Sequence, residues 1–128
     1  MERQIVPVEQ IPVGTLLSRP KLGKLVTHFG IYYGNGQVFE NTITAGSRIV
    51  SFAEFAQREE VGIVSWPVLA DWNLYRRIHA EIAANRPYDF LLNNCEHVVN
   101  RVLFGTATSS QAQGAGALAM IALVLVAL

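Results

Sequence analysis

The stretch that decides the fold is LVTHFGIYYGNGQVFENT, residues 25–42. Leu25–Tyr33 is rich in β-branched and aromatic residues and reads as a strand. Gly34-Asn35-Gly36 is a turn signal, because Gly and Asn tolerate positive φ at low cost. Gln37–Thr42 reads as the returning strand. The turn then decides where Glu40 stands relative to His28. If the loop is the three residues Gly34–Gly36, Tyr33 pairs with Gln37 and His28 with Thr42. Glu40 then lies on the His28 face, one diagonal step away. If the turn is the two residues Asn35-Gly36, the register moves by one and Glu40 flips to the opposite face.

Working outward, residues 1–24 are punctuated by Pro7, Pro12, Gly14, Pro20 and Gly23. A short strand is expected at Gly14–Leu17, with loop around it. Arg48–Ser51 reads as a third short strand. Ser51 caps a helix from Phe52 to about Arg58, with Glu54 completing a capping box. Val61–Trp66 is a strand-length apolar run closed by Pro67. Asp71 is expected to cap a longer helix with an apolar stripe of Leu74, Tyr75, Ile78 and Ile82. Arg76, Arg77, Glu81 and Asn85 point away from that stripe, and Arg86-Pro87 ends the helix. A last helix runs from Asn94 to Phe104, burying Val98, Val99, Val102 and Leu103, and stops at Gly105. The order predicts an α+β fold, a small antiparallel sheet packed against helices.

With 128 residues, 51% of them hydrophobic, the chain suits one domain with a real core. Ten acidic and ten basic residues cancel, so no global attraction for nucleic acid is indicated. A single cysteine permits no internal disulfide. The N-terminus lacks a basic region followed by an apolar run, so a cytoplasmic protein is expected. Residues 106–113 read as a polar linker. Residues 114–128 form an apolar tail, expected to hold the protein to a membrane surface. As a helix the tail would cover roughly 22 Å, short of a hydrocarbon core of about 30 Å.

That one cysteine stands in Asn93-Asn94-Cys95-Glu96-His97. Asn94 can cap the following helix. Cys95 then occupies the first turn, where the helix dipole favours an anion and a lowered thiol pKa. A thiol nucleophile needs a base. His97 is two residues away on the same helix and cannot face the thiol, so it is expected to support the site. His79 reads as structural. His28 opens a strand and is the candidate base. Glu40 is the candidate third group, with Asn41 or Thr42 in its place if the register turns it away. No ligand cluster for a metal is visible, and the chemistry calls for no cofactor.

Two segments carry a family resemblance. His28-Phe29-Gly30-Ile31-Tyr32-Tyr33-Gly34-Asn35-Gly36 resembles the histidine box of the lecithin–retinol acyltransferase-like proteins. Asn94-Cys95-Glu96-His97, with the helix after it, resembles their cysteine box. Gly14-Thr15-Leu16-Leu17 is similar to the family's first strand and Pro87–Leu92 to the lead-in to its cysteine. The likeness covers residues 12–105 and makes residues 1–105 the catalytic domain. It implies a circularly permuted version of the NlpC-type cysteine peptidase fold, and acyl transfer through a thioester on Cys95. His28 would be the base and Glu40 its orienting group. The backbone N–H of Cys95, with Asn94, would face the oxyanion. Phospholipid or another acyl ester is the implied substrate. One departure is Glu40 itself, where the phospholipid-acting animal members carry a second histidine. The rival expectations are a cysteine peptidase or amidase with the same dyad, and a non-enzymatic membrane adaptor.

Overall fold

In the computed structural model the hairpin turns as Asn35-Gly36, with φ of 55° and 72°. The structure describes residues 7–21, 23, 25–67, 73–88 and 94–105. The tail, the linker, Asp71 and most of the segment before Cys95 lie outside the described residues. Gly34 pairs with Gln37 across the turn, then the register shifts: Tyr32 faces Val38, Ile31 faces Phe39 and Gly30 faces Glu40. Tyr33 is the extra residue of a β-bulge. The bulge adds back the residue that the tight turn removed, so the strands beyond it run in the three-residue-loop register. Glu40 therefore lies on the face of His28.

Around this hairpin stands one antiparallel sheet in the order β4-β3-β2-β1-β5. The strands are β1 (Leu16–Lys21), β2 (Val26–Gly34), β3 (Gln37–Thr42), β4 (Gly46–Ser51) and β5 (Gly62–Ser65). The fold class is α+β, as expected. β1 departs from the expected loop, because it continues through Pro20 to Lys21. β5 pairs with β1 only at Leu16–Ser18. Beyond Ser18 that side of β1 is an edge, where a residue without an N–H is tolerated.

The two faces bury different sets of side chains, as a period of two requires. Leu17, Tyr32, Val38 and Val50 pack with Phe55 and Ile11 on one face. Leu16, Phe29, Ile31, Phe39 and Val64 pack on the other with Leu74, Ile78, Cys95 and three valines of the last helix. Helix α1 (Phe52–Ala56) covers the first face; α2 (Leu74–Ala84) and α3 (Cys95–Phe104) supply the second. Val98, Val99 and Val102 are fully buried, each worth about 1.5–3 kcal/mol over exposure.

Ser51 caps α1, accepting from Glu54 N at 3.1 Å, while the Glu54 carboxylate turns to Arg48 at 3.6 Å. Glu81 corrects the expected polar face of α2. It is 4% exposed, bonded by Arg101 of α3 and by Arg86 at 2.7 Å. An interior carboxylate is affordable because two guanidiniums meet it, and the contact pins α2 to α3. No helix among the described residues is long and apolar enough to cross a membrane.

Among the described glycines Gly30 is the most tightly enclosed. A Cβ there would stand 2.5 Å from a Phe55 ring carbon and 2.7 Å from Val38 Cγ1. Gly30→Ala should lower stability by about 1–3 kcal/mol in urea denaturation, and a second change, Phe55→Leu, should return part of it. A loss under about 0.5 kcal/mol would show that the α1 face is loosely packed.

Candidate active site

The bulge puts a row of polar side chains across the α1 face. β1 offers Arg19, paired with His28 of β2. Glu40 of β3 faces Gly30, and Arg48 of β4 faces Glu40. His28 and Glu40 are 1% and 2% exposed. His28 Nε2 donates to Glu40 Oε1 at 3.0 Å, and Arg48 Nε donates to Oε2 at 2.9 Å. The Phe55 ring packs on the imidazole with centroids 5.4 Å apart.

The register argument thus places Glu40 where it can orient His28, and Arg48 joins them. Arg48 was not singled out in the sequence. Its position eight residues after Glu40, on the next strand of a meander, was the available signal. Asn41 faces the other side of the sheet and Thr42 Oγ1 accepts from Ala45 N, while Glu40 is the residue bonded to His28.

Burial alone would raise the Glu40 carboxyl. The hydrogen bonds and charges of His28 and Arg48 outweigh it and hold the group below its ordinary value. The acid is therefore ionised and can only accept, which requires the proton of His28 to sit on Nε2. Nδ1 then carries the lone pair. That atom is buried and has no hydrogen-bond partner among the described residues. Burial holds the imidazole below its ordinary pKa. The Glu40 hydrogen bond opposes this, and the charges of Arg19 and Lys21 reinforce it. His28 is thus a neutral base at pH 7. The imidazolium is not the resting form, because desolvation outweighs one ionic hydrogen bond.

Asn94 builds the start of α3. Its Oδ1 accepts from His97 N at 2.9 Å, and its own N–H donates to His97 Nδ1 at 3.1 Å. This is a capping box with histidine in the third position. It places His97 in the cap that starts the Cys95 helix, through an Asn-x-x-His spacing that the sequence already displayed. The cap carbonyl of Asn94 is committed to this helix start.

Cys95 is 5% exposed and packs in the α2–α3 core cluster, with Phe29, Ile31 and Phe39. The backbone N–H groups of Phe29 and Glu96 act on its sulfur in the direction of a lower pKa. The strand pattern accounts for the first of these. Tyr32 N donates to Thr15 O on the β1 side, so by alternation Phe29 N–H points toward β3. The last β2–β3 pair is Gly30 with Glu40. Phe29 lies one step beyond it, in the cluster that holds Cys95. Cys95 thus packs beside the residue that follows His28 on β2. No hydrogen bond joins Cys95 to His28 among the described residues.

The thiol departs from expectation. Burial pushes it above its ordinary value, against the two backbone hydrogen bonds and the charge of Lys21. The start of a helix does not lower a thiol pKa when the site around it is closed to water. On the α1 side a cavity of about 330 Å³ reaches His28 and Glu40, lined also by Arg19, Lys21 and Arg48.

A raised thiol pKa fixes the sign of a pH test. Alkylation of Cys95 by iodoacetamide should keep accelerating above the free-thiol value of about 8.5. A plateau reached below pH 7 would mean that the resting sulfur is a thiolate. Comparison with known protein families and with curated proteins finds no match for this chain, so the reading of the site rests on its residues and their geometry.

Proposed function

We propose that this protein is a thiol hydrolase or acyltransferase resembling the lecithin–retinol acyltransferase-like family. The observation that carries the reading is the state of His28. One ring nitrogen is tied to an ionised carboxylate, and the other is a buried, unpartnered lone pair. A packing histidine seldom leaves a basic nitrogen unsatisfied. Cys95, the only cysteine of the chain, packs in the core cluster that holds Phe29, the residue after His28.

In the proposed reaction Cys95 Sγ attacks the carbonyl carbon of an acyl ester while its proton passes to His28 Nδ1. The tetrahedral oxyanion collapses, the ester oxygen leaves with that proton, and a thioester remains on Cys95. Water or an acceptor alcohol then gives its proton to Nδ1 and attacks the thioester, releasing the acyl group and restoring the thiol. Glu40 keeps the Nε2 tautomer and stabilises the transient imidazolium. Arg48 keeps Glu40 charged. The N–H of Cys95, at the first position of α3, is the oxyanion donor. A neutral thiol beside a neutral imidazole makes charge appear only as the carbonyl is attacked.

Phospholipid, or another acyl ester, is the proposed substrate. The apolar residues 114–128 are the proposed contact with the membrane that presents it, which would make the protein cytoplasmic and membrane-bound.

The experiment is turnover of a short-chain phospholipid and of an activated ester, with the melting temperature as control. Cys95→Ala and His28→Ala should each cost at least about a thousandfold in kcat/KM. The double variant should lose little more, because the pair acts as a unit. Near-normal turnover in Cys95→Ala would sink the thioester mechanism.

A further inference from the structure

The cavity above His28 has a charge pattern that the acyl chemistry does not use. Three cations line it, Arg19, Lys21 and Arg48, against the one carboxylate of Glu40. In a chain of zero net charge this is a concentrated excess of positive charge. Arg48 is engaged, at 2.9 Å from Glu40 and 3.6 Å from Glu54. Arg19 and Lys21 form no salt bridge among the described residues. The Arg19 guanidinium is partly buried, donates from Nε to the Phe55 carbonyl and lies 5.9 Å from the Phe55 ring centroid. It is therefore held in place by a carbonyl and a ring, without a salt bridge among the described residues. Such a group is costly to desolvate, and an entering anion relieves the cost.

Arg19 and Lys21 are two apart on β1 and share a face, and Arg19 is the register partner of His28. A guanidinium fork beside an ammonium suits an anion with several acceptor oxygens. The mouth adds a second character. Ile43, 71% exposed, lines the cavity. β2 begins where β3 ends, so Ile43 lies at the His28 end of the sheet.

We propose that this cavity is an anion subsite in which Arg19 and Lys21 bind a phosphoryl group, with Ile43 receiving an apolar chain attached to it. The subsite is independent of thiol chemistry, so it is tested by binding, in full-length protein carrying Cys95→Ala. Inorganic phosphate, dihexanoyl phosphatidic acid and neutral dihexanoylglycerol are titrated separately by calorimetry. Phosphate and phosphatidic acid should both bind, and Arg19→Gln and Lys21→Gln should each weaken both by about tenfold. Arg19→Lys should keep part of the affinity, and Arg76→Gln, on exposed α2 surface, should change nothing. Tighter binding of phosphatidic acid than of phosphate assigns the subsite to a lipid headgroup. Equal binding keeps the anion site, assigns it to free phosphate and removes the chain contact. Should Arg19→Gln fail to fold, Lys21→Gln alone decides. Affinities untouched by these substitutions, or dihexanoylglycerol binding as tightly as phosphatidic acid, would overturn the proposal.

Discussion

Everything at the centre of this protein depends on an ionised Glu40 that is 2% exposed. A carboxylate taken out of water is tolerated only when its charge and lone pairs are met. His28 meets one oxygen and Arg48 the other. Those contacts exist only because three neighbouring strands bring their residues to one face at one level. The device that arranges it is the Tyr33 bulge. A slip of one residue would carry Glu40 through the sheet and leave His28 without a partner. Tautomer, unused lone pair and cavity charge all follow from that alignment.

The other face solves a different problem, which is holding a helix end against a sheet. The reciprocal Asn94–His97 cap satisfies the first N–H groups of α3, and the Glu81 cluster fixes its far end to α2. The β2–β3 ladder stops at Gly30, and Cys95 packs in the cluster of the residue before it, Phe29. Closing the site in this way raises the thiol and lowers the imidazole. In the proposed mechanism the cost of forming a thiolate is deferred until a carbonyl is present to share the charge.

Much of this was legible in the sequence because it rests on period and punctuation. The strands of the hairpin, the Ser51 and Asn94 caps and the Gly105 stop are local signals, and the structure keeps them. The hairpin register was legible only as two alternatives. The turn took one and the bulge restored the other, and a bulge at an aromatic residue leaves no mark in composition. Continuation of β1 through Pro20 depends on where β5 ends, and the burial of Glu81 depends on Arg101, twenty residues away. The position of Cys95 at the helix start was readable, but its ionisation was not. The dipole is a local property, whereas desolvation is set by the strands and helices that close around the sulfur.

The central claim is that Cys95 carries the acyl group. The most direct measurement is the intact mass of the full chain after rapid mixing with a short-chain phospholipid and acid quench, with peptide mapping of any adduct. The account predicts an added mass of one acyl group, located on Cys95, lost on treatment with neutral hydroxylamine and absent from Cys95→Ala. Turnover with no acyl mass on Cys95 at any quench time, or an adduct mapped to another residue, would contradict it.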